Sequence, residues 1–223
     1  LRGQKRKPLG YLLNLPADRE KAKRWRILVD RVVGCRKCPA FKWSGNVLPP
    51  WGDTNSKFLI IGQSLCTQCY EGGEPFYGHS GELLDSVFSL LETHKSDFLI
   101  TNVVLHNPPA NRPSSEEERH NCSDAFGREA FTLQSPKVVI TLGRDAYNFI
   151  SRRSYSMRSC LESDVWGKSS LADGTSTKRF AWIPDVHPAF YYRSRDEAVQ
   201  RGYVQRLVRR IKKATKLMKK GVV

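Results

Sequence analysis

No apolar run in this chain approaches the ~20 residues that a membrane span needs, and no internal repeat or long low-complexity tract appears. The basic opening residues LRGQKRKPLG lead into only a short apolar stretch, so a secretory signal is not expected and an intracellular, cytoplasmic setting is. Acid is the scarcest ingredient where it would matter most. Residues 201–220 hold nine Lys and Arg and no Asp or Glu, and residues 1–26 hold another nine Lys and Arg. The formal charge of +15 therefore sits at the two ends and favours a polyanionic partner, nucleic acid before membrane. The C-terminal pattern supports that order, because Val204, Leu207, Val208 and Ile211 form one stripe that packs on the body while Arg and Lys cover the rest. Six cysteines without a secretory signal argue against a disulfide framework and for a metal, a cluster or a redox role. Four of the six fall in two pairs, Cys35-x-x-Cys38 and Cys66-x-x-Cys69.

At 223 residues, with 39% hydrophobic and 26% charged residues, the chain is long enough for one domain with a substantial core, or at most two small ones. We expect a single domain over 1–223, with a basic N-terminal segment (1–30) and a basic C-terminal helix (about 197–220). Four short β-branched or apolar runs read as buried strands: Phe58–Ile61, Phe98–Val104, Val138–Leu142 and Phe180–Ile183. Helical patterns lie between them. Leu83, Leu84, Val87, Phe88, Leu90 and Leu91 recur at helical spacing, Ser114/Ser115 followed by Glu offers an N-cap, and Ala146–Ile150 opens a third helix. The stretch SPKVVITLGRDAYNFI (135–150) reads as strand, Gly, helix, a piece of the frame. Residues 151–179 are polar and carry no clear order. Alternation of strand and helix predicts a three-layer α/β/α sandwich around a central, mainly parallel four-stranded sheet. In such sheets ligands bind outside the carboxyl ends of the strands, so the segments just after each strand are the place to look for chemistry.

Those segments, taken in order, resemble the uracil-DNA glycosylase superfamily, most closely its iron–sulfur family 4. The pieces are GCRKC, FLIIG, PFYGHSGELL, ITNVV with PPANRP and Cys122, PKVVITLG and HPAFYYR, spanning roughly Gly34 to Arg193. The resemblance implies a monomeric, monofunctional DNA glycosylase that swings a pyrimidine out of the helix and hydrolyses its N-glycosidic bond. Base flipping is needed because the bond is out of reach inside a duplex, and donors aimed at the departing base anion are the largest catalytic contribution. By resemblance, Phe76 is the aromatic on which the base stacks and Asn102 reads its edge. A carboxamide suits uracil in one orientation and cytosine in the other. His187 donates to the base O2 as charge builds there, and Tyr191, Tyr192 and Arg193 approach the DNA backbone and fill the gap left by the base.

The first motif departs from the family. Where the family has an acidic loop of the type G-E-x-P-G-x-x-E-D, this chain has Gly62, Gln63, Ser64, Leu65, Cys66, Thr67, Gln68, Cys69 and Tyr70. No carboxylate is left in that loop to orient water, so Gln63, Ser64 or Gln68 would have to place it, or catalysis is lost and a silent, base-recognising DNA-binding protein remains. The same loop walls the C5 side of the pyrimidine in the family. Small Ser64 and Cys66 there suggest a base enlarged at C5, such as a hydroxymethylated or glucosylated base of phage DNA, with uracil as the default and phage defence as one setting.

The cluster positions are altered too. Cys35, Cys38 and Cys122 match the family's ligands, and His106, sixteen residues before Cys122, stands where the third Cys would be. The resemblance implies a [4Fe–4S] cluster, since imidazole can replace thiolate on iron; zinc on Cys₃His is the alternative. A Cys₄ zinc site from Cys35, Cys38, Cys66 and Cys69 is a further, lower-ranked reading, with Cys160 a bystander. The cluster would tie the N-terminal segment to the PPANRP loop and set Arg112 beside DNA.

Overall fold

Strands that are apolar on both faces need a layer on each side, and the chain provides one on each. The computed structural model describes residues 11–38, 47–151 and 180–223, the side chains of 124 and 125 apart. Residues 152–179, nearly all of the polar stretch and Cys160 with it, fall outside the described residues, as does the start of the basic N-terminal segment. In chain order the elements are β1 (Leu13–Asn14), α1 (Arg19–Gly34), β2 (Trp51–Asp53), β3 (Phe58–Ser64), α2 (Thr67–Gly72), α3 (His79–Leu90) and β4 (Leu99–Val104). There follow α4 (Glu116–Cys122), α5 (Arg128–Gln134), β5 (Val138–Leu142), α6 (Arg144–Ser151), β6 (Ala181–Asp185), α7 (Pro188–Tyr192) and α8 (Glu197–Lys219). A π-helical turn, Ser123–Gly127, joins α4 to α5.

The sheet order is β1-β2-β4-β3-β5-β6. The four expected strands form its parallel heart, β4-β3-β5-β6. Two short edge strands extend it: β2 runs antiparallel to β4, and β1 parallel to β2. At two and three residues, these are too short to show a period of two in the sequence.

Side chains alternate across the sheet as the pleat requires. Leu59, Ile61, Leu99 and Val139 face one layer with Trp25, Leu28 and Val32 of α1, Phe131 of α5 and Ile150 of α6. Ile60, Ile100, Ile140 and Ile183 face the other with Leu84, Val87 and Phe88 of α3 and Tyr203, Leu207 and Ile211 of α8. The α8 stripe expected from sequence is therefore the buried one, with Val204 and Val208 included. The connection from β3 leads to β4 on one side, and the next strand, β5, lies on the other side of β3. That makes the gap between β3 and β5 a topological switch point, where the carboxyl ends of neighbouring strands open a crevice.

Candidate active site

Four strand ends meet at that crevice. Gly62 in β3 pairs in register with Asn102 in β4. The two approach so closely that a Cβ at Gly62 would lie 2.3 Å from Asn102 Oδ1 and 2.7 Å from Phe76 Cζ. Only glycine leaves room for both groups. Phe76 is 6% exposed and holds a left-handed backbone at φ 50°. A non-glycine residue there carries a cost of about 1–2 kcal/mol, of the kind that persists when surrounding structure fixes a functional side chain. Part of that fixation is visible: Lys95 Nζ, paired with Glu74 at 2.7 Å, also lies 3.4 Å from the Phe76 carbonyl oxygen.

His187 stands across the crevice, its ring centroid 5.8 Å from that of Phe76 at an interplanar angle of 33°. It caps α7: Nδ1 accepts a hydrogen bond from the Ala189 N–H at 3.2 Å. A backbone N–H can only donate, so Nδ1 is bare and the neutral ring carries its proton on Nε2. Burial, with a smaller contribution from Arg193, lowers the His187 pKa to about 4. The ring is thus a neutral Nε2–H donor at physiological pH. Gly143, in the left-handed region at φ 98°, brings its backbone against this residue; a Cβ there would sit 3.4 Å from His187 Cβ and 3.9 Å from Gln63 Oε1. The strand–Gly–helix corner is part of the pocket wall as well as of the frame.

Of the residues expected to grip a base, Phe76 thus lies close to both Asn102 and His187, and Gln63 and His187 both approach Gly143. Ser64 lies one residue further along β3, half-buried and paired with Val104. Cys66 departs from expectation. It is disulfide-bonded to Cys69 and caps α2, its Sγ accepting from the Cys69 N–H at 3.2 Å. The Cys₄ reading is thereby overturned, because two of its four sulfurs bond to each other. The pairing also corrects the expectation of no disulfide, and it takes up Cys69, which stands where one of the family's acids would be.

The turn after β6 sorts its aromatics by helical period. Tyr191, expected at DNA, is 8% exposed, stacks on Tyr203 at 4.7 Å and shares its hydroxyl with Arg206 at 3.0 Å. It is a core residue, as the i,i+3 step from Pro188 demands. Tyr192 is half-buried, stacked on His79 at 4.7 Å and 7°. Phe190, which the motif did not single out, is 63% exposed at the tip, and Arg193 is exposed beside it. Arg112 forms a bidentate pair with Glu118, at 2.9 and 2.7 Å. Glu118 is fully buried and completes the Ser115 capping box. The guanidinium holds that carboxyl below the usual carboxylate range, so Arg112 is first of all a partner for a buried charge.

A second cluster lies behind the crevice. Cys38, His106 and Cys122 are buried with their ligand atoms all within 4.8 Å of one another, and Cys38 Sγ is 4.0 Å from Cys122 Sγ. The Cys38 thiol hydrogen-bonds Cys122, raising its own pKa and lowering that of Cys122. Cys35, at the end of α1, is buried in the same core. Convergent sulfur and imidazole donors in an apolar shell fit a thiophilic metal or an iron–sulfur group. His106 follows β4 four residues after Asn102, so one segment serves both sites.

The fold is an open, mainly parallel α/β sheet with helices on both faces, and an aromatic, an amide and an imidazole lie near the carboxyl ends of its strands. A sequence model described as "Uracil DNA glycosylase superfamily" matches residues 49–211, and the chain belongs to that superfamily. It is 32% identical over 123 residues to a type-4 uracil-DNA glycosylase of Archaeoglobus fulgidus, covering 55% of this chain and 61% of that protein. A type-4 enzyme of Sulfurisphaera tokodaii is 29% identical over 161 residues, covering 72% of each chain. One of Thermotoga maritima is 26% identical over 176 residues, 78% of this chain and 86% of that protein. No helix among the described residues is long and apolar enough to cross a membrane.

Proposed function

We propose that this protein is a monofunctional DNA N-glycosylase that acts as a monomer on a flipped pyrimidine and leaves an abasic site. The observation that carries the reading is the placement of Phe76 between two polar groups, Asn102 across Gly62 on one side and the His187 ring at 5.8 Å on the other. Phe76 offers a stacking face and Asn102 an amide for the base edge. The neutral His187 offers Nε2–H to the oxygen that gains negative charge as the glycosidic bond breaks, where a preorganised donor is worth roughly 3–4 kcal/mol. With no carboxylate in the loop after β3, leaving-group stabilisation does most of the chemistry, and Gln63 is the polar side chain next to His187 that would place water. Phe190 and Arg193 would meet the duplex, the first as a wedge and the second at a phosphate.

The base is a pyrimidine: uracil by default, or one enlarged at C5, because the wall that follows β3 is built from Ser64 and a Cys66–Cys69 pair. Cys38, His106 and Cys122, with Cys35, would hold a [4Fe–4S] cluster, zinc being the alternative. When bound, that group would cross-link three chain segments. Metal analysis with the visible absorption band distinguishes the two. The proposal is tested by single-turnover excision on oligonucleotides carrying uracil, hydroxymethyluracil, hydroxymethylcytosine or glucosylated cytosine. Release of one or more of these bases is expected. Tight binding to such DNA with no base released would instead support a silent recognition protein, which the missing loop acids favour.

A further inference from the structure

Asn107 follows the ligand-site residue His106 directly, is 6% exposed, and belongs to none of the motifs. Its amide lies 2.7 Å from the Thr67 hydroxyl, forty residues away in sequence. The surroundings settle which way that amide points. With its oxygen toward Thr67 it accepts from the Thr67 hydroxyl at 2.7 Å and from the Thr67 N–H at 3.3 Å. Its nitrogen then faces the carbonyl oxygens of Leu65 (3.2 Å) and Pro108 (3.0 Å) and the side-chain oxygen of Asn111 (3.2 Å). The opposite orientation would set the amide oxygen against acceptors only. One buried side chain thus bonds both ends of the three-residue step Leu65–Thr67 that leaves β3, and also the PPANRP loop. Leu65 is held independently by its N–H to the Val104 carbonyl at 3.3 Å and by burial.

We propose that Asn107 is a positioning residue: it carries the order of the cysteine–histidine site into the loop that walls the base pocket. The inference rests on the reading of that loop as the C5 wall only for its catalytic consequence. The mechanical link stands on geometry alone. A small helix of six residues, α2, begins at Thr67; its Cys66–Cys69 disulfide closes only a local turn, so Asn107 is the side chain that ties this turn to the segment after β4. A buried amide that satisfies several backbone groups is the kind of tie whose loss exposes each of them.

The test compares the full chain with Asn107→Ala, Asn107→Asp and Thr67→Val, the last removing only the hydroxyl partner. Amide hydrogen exchange is the readout that does not depend on excision. Residues 65–70 should exchange about 10-fold faster in Asn107→Ala, with β5 unchanged, metal content per chain unchanged, and Thr67→Val shifted the same way by less. Chelation of the metal from the unmodified chain should loosen the same amides. If bases are excised, Asn107→Ala should change the ratio of hydroxymethyluracil to uracil excision several-fold, with Asn107→Asp intermediate because it keeps the acceptor and loses the donor. Unchanged exchange at 65–70 overturns the proposal, as does equal acceleration across the whole sheet or metal loss in Asn107→Ala. Failure of all excision with the exchange pattern intact would sink the glycosylase reading and leave this link standing.

Discussion

The loop after β3 and the turn after β6 lie on opposite sides of the same crevice, and they hold their shape by different means. The turn after β6 holds its candidate donor by making it structural: His187 caps α7 through Nδ1, which leaves Nε2 for the proposed contact to the base. Behind it, Asp185 is buried between Arg206 and Arg210, at 2.8 and 3.1 Å, so the strand end is clamped to α8. The loop after β3 has no carboxylates to place water, and its shape is set by a disulfide and by the Asn107 amide. The proposal puts chemistry on one side and shape on the other, a division that substitutions can break.

The largest effect should come from the β6 side. His187→Ala is expected to slow single-turnover excision about 100- to 1000-fold while DNA affinity measured by anisotropy stays within about 2-fold. An equal loss from Gln63→Ala would move the chemistry to the β3 side. Next is Gly62→Ala, whose new methyl would meet Asn102 and Phe76 at 2.3 and 2.7 Å. A fall in excision of about 100-fold is expected, with destabilisation of about 1–3 kcal/mol in urea unfolding. Arg112→Ala leaves Glu118 buried without its partner, so stability should drop by about 1–3 kcal/mol, the exposed guanidinium limiting the loss. A large drop in DNA affinity with stability intact would restore Arg112 to the interface. Removing the disulfide by Cys66→Ser with Cys69→Ser should cost about 1–2 kcal/mol, because the closed loop is so short.

The smallest expected change is with pH. The His187 pKa of about 4 lies below the ordinary value of 6.5, so between the two the unfolded chain binds the extra proton. Its contribution to stability is complete above the ordinary value and is lost as pH falls toward the lowered one. Excision should therefore be flat from about pH 6 to 8, with any acid limb near the lowered value. A limb near pH 6.5 in the rate of a single turnover would mean a solvated, protonated imidazole and a different donor.

The parallel heart of the sheet was legible because each of its strands is a continuous apolar run, and α3 and α8 because their stripes repeat at the helical period. The candidate grip residues were legible as motif positions, and the fold sets Phe76 close to both Asn102 and His187. The aromatics of HPAFYYR were not. Three in a row look equivalent until the helical step from Pro188 turns Tyr191 inward and Phe190 out. Nor were the clearances at Gly62 and Gly143, which depend on side chains brought from β4, β6 and the Phe76 turn.

By itself, then, the amino-acid order determined the alternation of strands and helices, the cationic ends and the types of group available to hold a base and a metal. These are properties of local period and composition, which short stretches carry on their own. Tertiary structure alone decided that Arg206 and Arg210 clamp Asp185, that Gly62 lies against Asn102 and Phe76, and that Asn107 joins two loops. Each of those is a choice among partners, and it is made by which surfaces the packed sheet brings within hydrogen-bonding or bonding distance.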